Sequence, residues 1–109
     1  MASPLIVEIT DSNFENEVVK SSLPILVDFW ATWCAPCRAI APHVEALAQA
    51  FAGSIRVGKC DIDTSPMIPT QYEIRSVPTL LMFKGGQVVG QLVGAVPRPR
   101  IEEMIKKAL

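Results

Sequence analysis

The sequence predicts an α/β protein with a mixed five-stranded sheet and helices on both faces, in the order βαβαβαββα. Strand-like and helix-like patterns alternate three times and then give way to two strands and a last helix. The run Ile25 to Ala31 is almost continuously apolar, as a strand covered on both sides must be. Near the end, Lys84-Gly85-Gly86 separates two apolar runs, and its glycines permit the positive φ of a tight hairpin, so the last two strands are antiparallel.

Leu5 to Ile9 is the first strand. Thr10-Asp11-Ser12 follows, any of which can cap a helix carrying Phe14 and Val18, and Ser12 with Glu15 fits a capping box. After the strand Ile25 to Ala31, a helix begins at Cys34, with Ile40, Val44, Leu47 and Phe51 at helical intervals and Gly53 as its stop. Pro42 lies inside that helix, where its missing N–H and its clash with the Arg38 carbonyl should kink it. Ile55 to Ile62 is the third strand, and Thr64 to Tyr72 a short helix interrupted by Pro66 and Pro69. Thr79 to Phe83 and Gln87 to Val93 form the hairpin. Beyond Pro97 and Pro99, which suit a helix start, Ile101, Met104, Ile105 and Ala108 form one apolar stripe.

A chain of 109 residues, half of them hydrophobic, suits one domain spanning 1–109 with one real core. No repeat, linker or low-complexity stretch divides it. A net charge of −1 supplies no field for nucleic acid and no polybasic segment for lipid, so neither nucleic acid nor membrane is expected as a partner. The segment Met1-Ala2-Ser3-Pro4-Leu5 lacks a charged region followed by a long apolar stretch, and a cytoplasmic location is expected. Three cysteines do not make a disulfide scaffold; one C-x-x-C in an odd count favours a cycling dithiol.

That dithiol is Trp33-Cys34-Ala35-Pro36-Cys37, placed directly between an apolar strand and a helix. Thiols two residues apart at a helix start can close a small disulfide ring with little chain movement, and the first faces the positive end of the helix dipole, which stabilises its thiolate. Half a zinc site has the same spacing, but Cys60 and His43, the other candidate N/S ligands, form no recognisable ligand pair with it. Asp28 is also conspicuous. A carboxylate in the middle of an apolar strand is costly when charged, so its pKa should be raised. Pro78, after Val77 and before a strand, removes a ladder donor and needs a reason.

Taken together, Val27-Asp28-Phe29-Trp30-Ala31, Trp33-Cys34-Ala35-Pro36-Cys37-Arg38, Ile40-Ala41-Pro42, Asp61-Ile62-Asp63, Ile74-Arg75-Ser76-Val77-Pro78-Thr79, Phe83-Lys84-Gly85-Gly86 and Val93-Gly94-Ala95 resemble the thioredoxin family across nearly the whole chain. The resemblance implies the thioredoxin fold and a general protein-disulfide reductase. Such a protein binds no cofactor. Its redox-active Cys34-Cys37 disulfide is recharged with electrons from NADPH through a flavin-dependent thioredoxin reductase, and its partners are that reductase and oxidised client proteins. A monomer is expected.

The resemblance also assigns roles. Cys34 is the exposed, attacking thiolate and Cys37 the resolving thiol, buried one turn later. Asp28 lies beneath the dithiol and helps to deprotonate Cys37 through water, with Lys59 as its partner; a satisfied core carboxylate and an ordinary strand-edge lysine are the plainer alternatives. Pro78 is cis and lies against the dithiol, so that Val77, Pro78, Trp33, Gly94 and Ala95 form a shallow apolar groove for a partner's extended segment. Trp33 and Trp30 could instead be plain core aromatics. Ala35 and Pro36 complete the partner-facing surface. Ala35 stands where most of the family has Gly, a change that adds a methyl group and favours the helix at a position that tunes the dithiol. His43 is expected to face solvent, and Cys60 to be a small buried hydrophobe without a redox role.

Overall fold

The computed structural model describes residues 4–109; the sequence readings that fall on Met1-Ala2-Ser3 and on the start of the 1–109 domain lie outside the described residues. The strands are β1 (Ile6–Glu8), β2 (Ile25–Trp30), β3 (Arg56–Asp61), β4 (Thr79–Lys84) and β5 (Gln87–Val93). They form one sheet in the order β1-β3-β2-β4-β5. β1 and β2 run parallel to β3, whereas β4 is antiparallel to β2 and to β5. The helices are α1 (Ala35–Ala50), α2 (Met67–Gln71) and α3 (Arg98–Ala108), with a π-helical turn at Glu15–Val19.

Strand alternation sorts the core into two layers. Leu26, Leu80 and Met82 point to one face, where Ile40, Val44 and Leu47 of α1 and Ile101 and Ile105 of α3 meet them. Ile25, Val27, Phe29, Leu81 and Phe83 point to the other, against Phe14, Val18 and Ile68. Covering on both sides explains the unbroken apolar run of β2. Every side chain from Ile25 to Phe29 is fully buried, and Asp28 among them. In the hairpin, Gly85 and Gly86 both have positive φ, 61° and 80°, which closes a two-residue turn between β4 and β5. Pro42 sits within α1, which runs unbroken from Ala35 to Ala50, and Gly53 follows its end with a φ of 88°.

Two local expectations change. The segment after Thr10 is a single π-helical turn, in which Lys20 N–H reaches back to the Glu15 carbonyl, rather than an α-helix; Phe14 and Val18 are buried as expected. Its capping box is not Ser12 with Glu15. Thr10 N–H donates to Asn13 Oδ1 at 2.7 Å and Asn13 N–H to Thr10 Oγ1 at 3.2 Å, so the same reciprocal pattern forms two residues earlier with an amide in place of the glutamate. Ser12 is left to share a hydrogen bond with the Thr10 hydroxyl.

Candidate active site

The chain leaves β2 at Trp30, crosses the loop Ala31-Thr32-Trp33, and enters α1 with Cys34 as the capping residue. Cys34 has an extended backbone (φ −94°, ψ 105°), as a cap requires, and Pro36 in the first turn gives up an N–H that has no helical acceptor. Cys34 and Cys37 are joined in a disulfide with their Cα atoms 5.3 Å apart. Arg38 fastens the approach by donating to the Thr32 carbonyl at 2.9 Å. The dithiol thus sits at the carboxyl end of a central strand and at a helix N-terminus, where unpaired backbone N–H groups favour negative charge.

Exposure does not separate the two cysteines. The expectation of an exposed Cys34 above a buried Cys37 is not met, since they are 4% and 3% exposed. Bonded to each other, both are covered by Ala31 together with Trp30, Ile62 and Val77. Hydrogen bonding does distinguish them. The Cys37 backbone N–H donates to Cys34 Sγ at 3.2 Å, so the first turn of α1 directs a donor at the Cys34 sulfur.

Asp28 lies in the middle of β2 and is 0% exposed, and neither carboxyl oxygen has a hydrogen-bond partner among the described residues. Burial pushes its pKa from 3.8 up to about 6, against a smaller downward pull from the Lys59 ammonium. Lys59 is its register partner on β3, but the Lys59 Nζ stands 5.4 Å from the centre of the Trp30 ring. Lys59, the expected partner of Asp28, therefore acts on it through space, with no hydrogen bond to either carboxyl oxygen among the described residues. On β3, between β1 and β2, Lys59 places its ammonium on an aromatic face rather than desolvating it against the buried carboxylate. Trp30 and Lys59 also line a surface groove of about 460 Å³ with Glu45 and Asp61.

On the far side of the dithiol, the Val77-Pro78 bond is cis. Thr79 Oγ1 donates to the Ser76 carbonyl at 2.7 Å and fixes the turn, and Gly94 N–H donates to the Pro78 carbonyl at 2.8 Å. Val77 packs against the two cysteines, Pro78 is buried, and Gly94 is held beside it. Ala95 is exposed. Ala35 and Pro36 are exposed on the first turn of α1. Trp33 is no core aromatic, being 65% exposed, while Trp30 is half-buried against the cysteines. His43 is exposed. Cys60 is fully buried with Phe29 and Ile68, and burial pushes its thiol up to about 12, which disfavours the thiolate.

Sequence reasoning did not single out Asp63 as a site residue. Its carboxylate accepts the Trp33 indole N–H at 3.0 Å across 30 residues of sequence. The only signal was its place in Asp61-Ile62-Asp63 at the end of an apolar strand, which marks a turn but not its contact. Among the described residues, no cluster of three or more His, Cys, Asp or Glu side chains could hold a metal ion, and no helix is long and apolar enough to cross a membrane.

A family model described as Thioredoxin matches residues 5–107. The chain belongs to the thioredoxin family. It is 50% identical over 102 residues to thioredoxin 1 of Nostoc sp., covering 94% of this chain and 95% of that one. It is 46% identical over 100 residues to a thioredoxin of Porphyra purpurea, covering 92% and 94%, and 45% identical over 102 residues to a thioredoxin of Haemophilus influenzae, covering 94% and 95%. In this thioredoxin-family chain the Cys34-Cys37 pair is a dithiol–disulfide redox centre, and the protein is a disulfide oxidoreductase.

Proposed function

We propose that the protein, as one domain spanning residues 1–109, is a general reductant of protein disulfides in which Cys34 attacks and Cys37 resolves. The observation that carries this division of labour is the Cys37 N–H aimed at Cys34 Sγ at 3.2 Å from the first turn of α1. In the reduced protein the Cys34 thiolate attacks one sulfur of the client disulfide, forming a bond to it while the other client sulfur leaves as a thiolate. Cys37, deprotonated, then attacks Cys34 Sγ, the ring closes, and the second client thiolate departs. Two electrons pass from the dithiol to the client, whose sulfurs each end with a proton.

Asp28 supplies a place for the Cys37 proton. A carboxyl group with its pKa raised to about 6 takes up and gives back a proton close to neutral pH, and Lys59 keeps it from rising further. Val77, Pro78, Trp33, Gly94 and Ala95, with Ala35 and Pro36, offer the client an apolar surface beside the sulfurs. Recharging comes from NADPH through a thioredoxin reductase, the protein acts as a monomer on oxidised proteins, and it works in the cytoplasm, where a cycling dithiol and a free buried Cys60 are kept reduced.

Insulin reduction driven by NADPH and a thioredoxin reductase tests the reading. Turnover that disappears in the Cys34→Ser variant is expected. Absence of turnover in a parent protein whose disulfide the reductase does reduce would overturn it.

A further inference from the structure

Trp33 is the most exposed aromatic residue of the described chain, 65% exposed on a loop immediately before Cys34. An indole in such a place has two free side-chain torsions, and ordering it costs entropy each time a partner docks against it. Here it is not left free. Its single donor, the Nε1–H, is taken by Asp63 Oδ2 at 3.0 Å.

The acceptor is itself held. Asp63 N–H donates to Asp61 Oδ1 at 2.9 Å, Ser65 N–H to the Asp61 carbonyl at 3.0 Å, and Ile62 N–H to the Trp30 carbonyl at 3.0 Å. The turn after β3 is therefore fastened to the ends of both β3 and β2. A charge-assisted bond then transmits that fixed position to the indole beside the redox pair.

We infer that Asp63 is a positioning residue for client recognition: through the Trp33 indole N–H it pre-sets the ring as one wall of the client groove. The inference rests on the reading of Trp33 as part of that groove. Asp63 touches neither the sulfurs nor the client, and the chemical step does not involve it.

The test compares single-turnover rates of the chemically reduced protein with two oxidants, oxidised insulin, which must lie in the groove, and bis(2-hydroxyethyl) disulfide, which is too small to need it. Asp63→Ala should slow insulin reduction roughly three- to ten-fold, the range a typical net hydrogen bond corresponds to once solvent weakens the charge assistance at this exposed site, and leave the small disulfide within about twofold. Asp63→Asn, which keeps an oxygen acceptor, should recover most of the loss. The Trp33 indole proton should exchange faster in Asp63→Ala than in the parent. In a Trp33→Ala background, Asp63→Ala should have no further effect on insulin. Slowing by Trp33→Ala but not by Asp63→Ala would overturn the positioning role and leave the groove standing; no slowing by Trp33→Ala would remove the groove itself. Equal slowing of both oxidants, or an Asp63→Ala loss that persists without the indole, would assign Asp63 to general stability instead.

Discussion

Asp28 and Lys59 are paired in register on neighbouring strands, yet the Lys59 ammonium stands 5.4 Å from the centre of the Trp30 ring and the Asp28 carboxylate has no hydrogen-bond partner among the described residues. A buried carboxylate left in this way is kept at a cost to the fold. Its pKa of about 6 is the measure of that cost and also what suits it to proton transfer near neutral pH.

The first prediction concerns stability. Because the folded-state pKa lies above the unfolded value, Asp28 destabilises the fold as pH rises from about 4, and the loss is complete above the folded pKa of about 6. A rise from 3.8 to about 6 corresponds to about 3 kcal/mol at 1.36 kcal/mol per tenfold change in proton affinity. Asp28→Ala should therefore gain on the parent by about that much more at pH 7.5 than at pH 3.5, whatever the cavity it leaves costs at both. Denaturant midpoints of the oxidised proteins measure the difference. A pH-independent difference would mean that Asp28 is not raised.

Removing the neighbouring cation should act in the opposite direction to pairing. Lys59 lowers the Asp28 pKa through space, so Lys59→Met should move it above about 6, as followed by the carboxyl carbon resonance during a pH titration. The pH at which Asp28→Ala overtakes its matched parent in stability is independent evidence on the same quantity. An unchanged titration would show that the ammonium is too well hydrated on the Trp30 ring to be felt.

Gly94 holds the segment beside Pro78 with a φ of 91°, and no atom stands within 4 Å of where a Cβ would be. Its requirement is conformational, not steric. Gly94→Ala should cost about 1–2 kcal/mol of stability, the usual penalty for an L-residue at positive φ, and weaken the bond from its N–H to the Pro78 carbonyl. Thermal melts give the first figure. A loss of under 0.5 kcal/mol would show that the loop adopts another conformation without difficulty.

Much of this was legible in the chain because periodicity and punctuation are local. The two-sided burial of Ile25 to Phe29, the Gly85-Gly86 turn and the burial of Asp28 follow from residue order alone, and the structure has all three. The π-helical turn after Thr10 is not legible, because Phe14 and Val18, four residues apart, fit an α-helix equally well and the i to i+5 bonding, as from Lys20 N–H to the Glu15 carbonyl, leaves no mark in the residue pattern. Asp63 could not be read as a partner of Trp33, since the contact spans 30 residues and depends on how β3 ends beside the loop after β2. The family resemblance implies Lys59 as the partner of Asp28, and the register agrees, but neither fixes where a long flexible side chain puts its charge.

The central claim, that Cys34 attacks and Cys37 resolves, is tested most directly by trapping. Purified Cys34→Ser and Cys37→Ser variants are mixed with an oxidised client, quenched, and run on nonreducing gels. The account predicts a mixed disulfide that accumulates with Cys37→Ser, where attack proceeds and only ring closure is lost, and none with Cys34→Ser. Adducts that accumulate with Cys34→Ser and not with Cys37→Ser would reverse the roles, and none with either would contradict the mechanism.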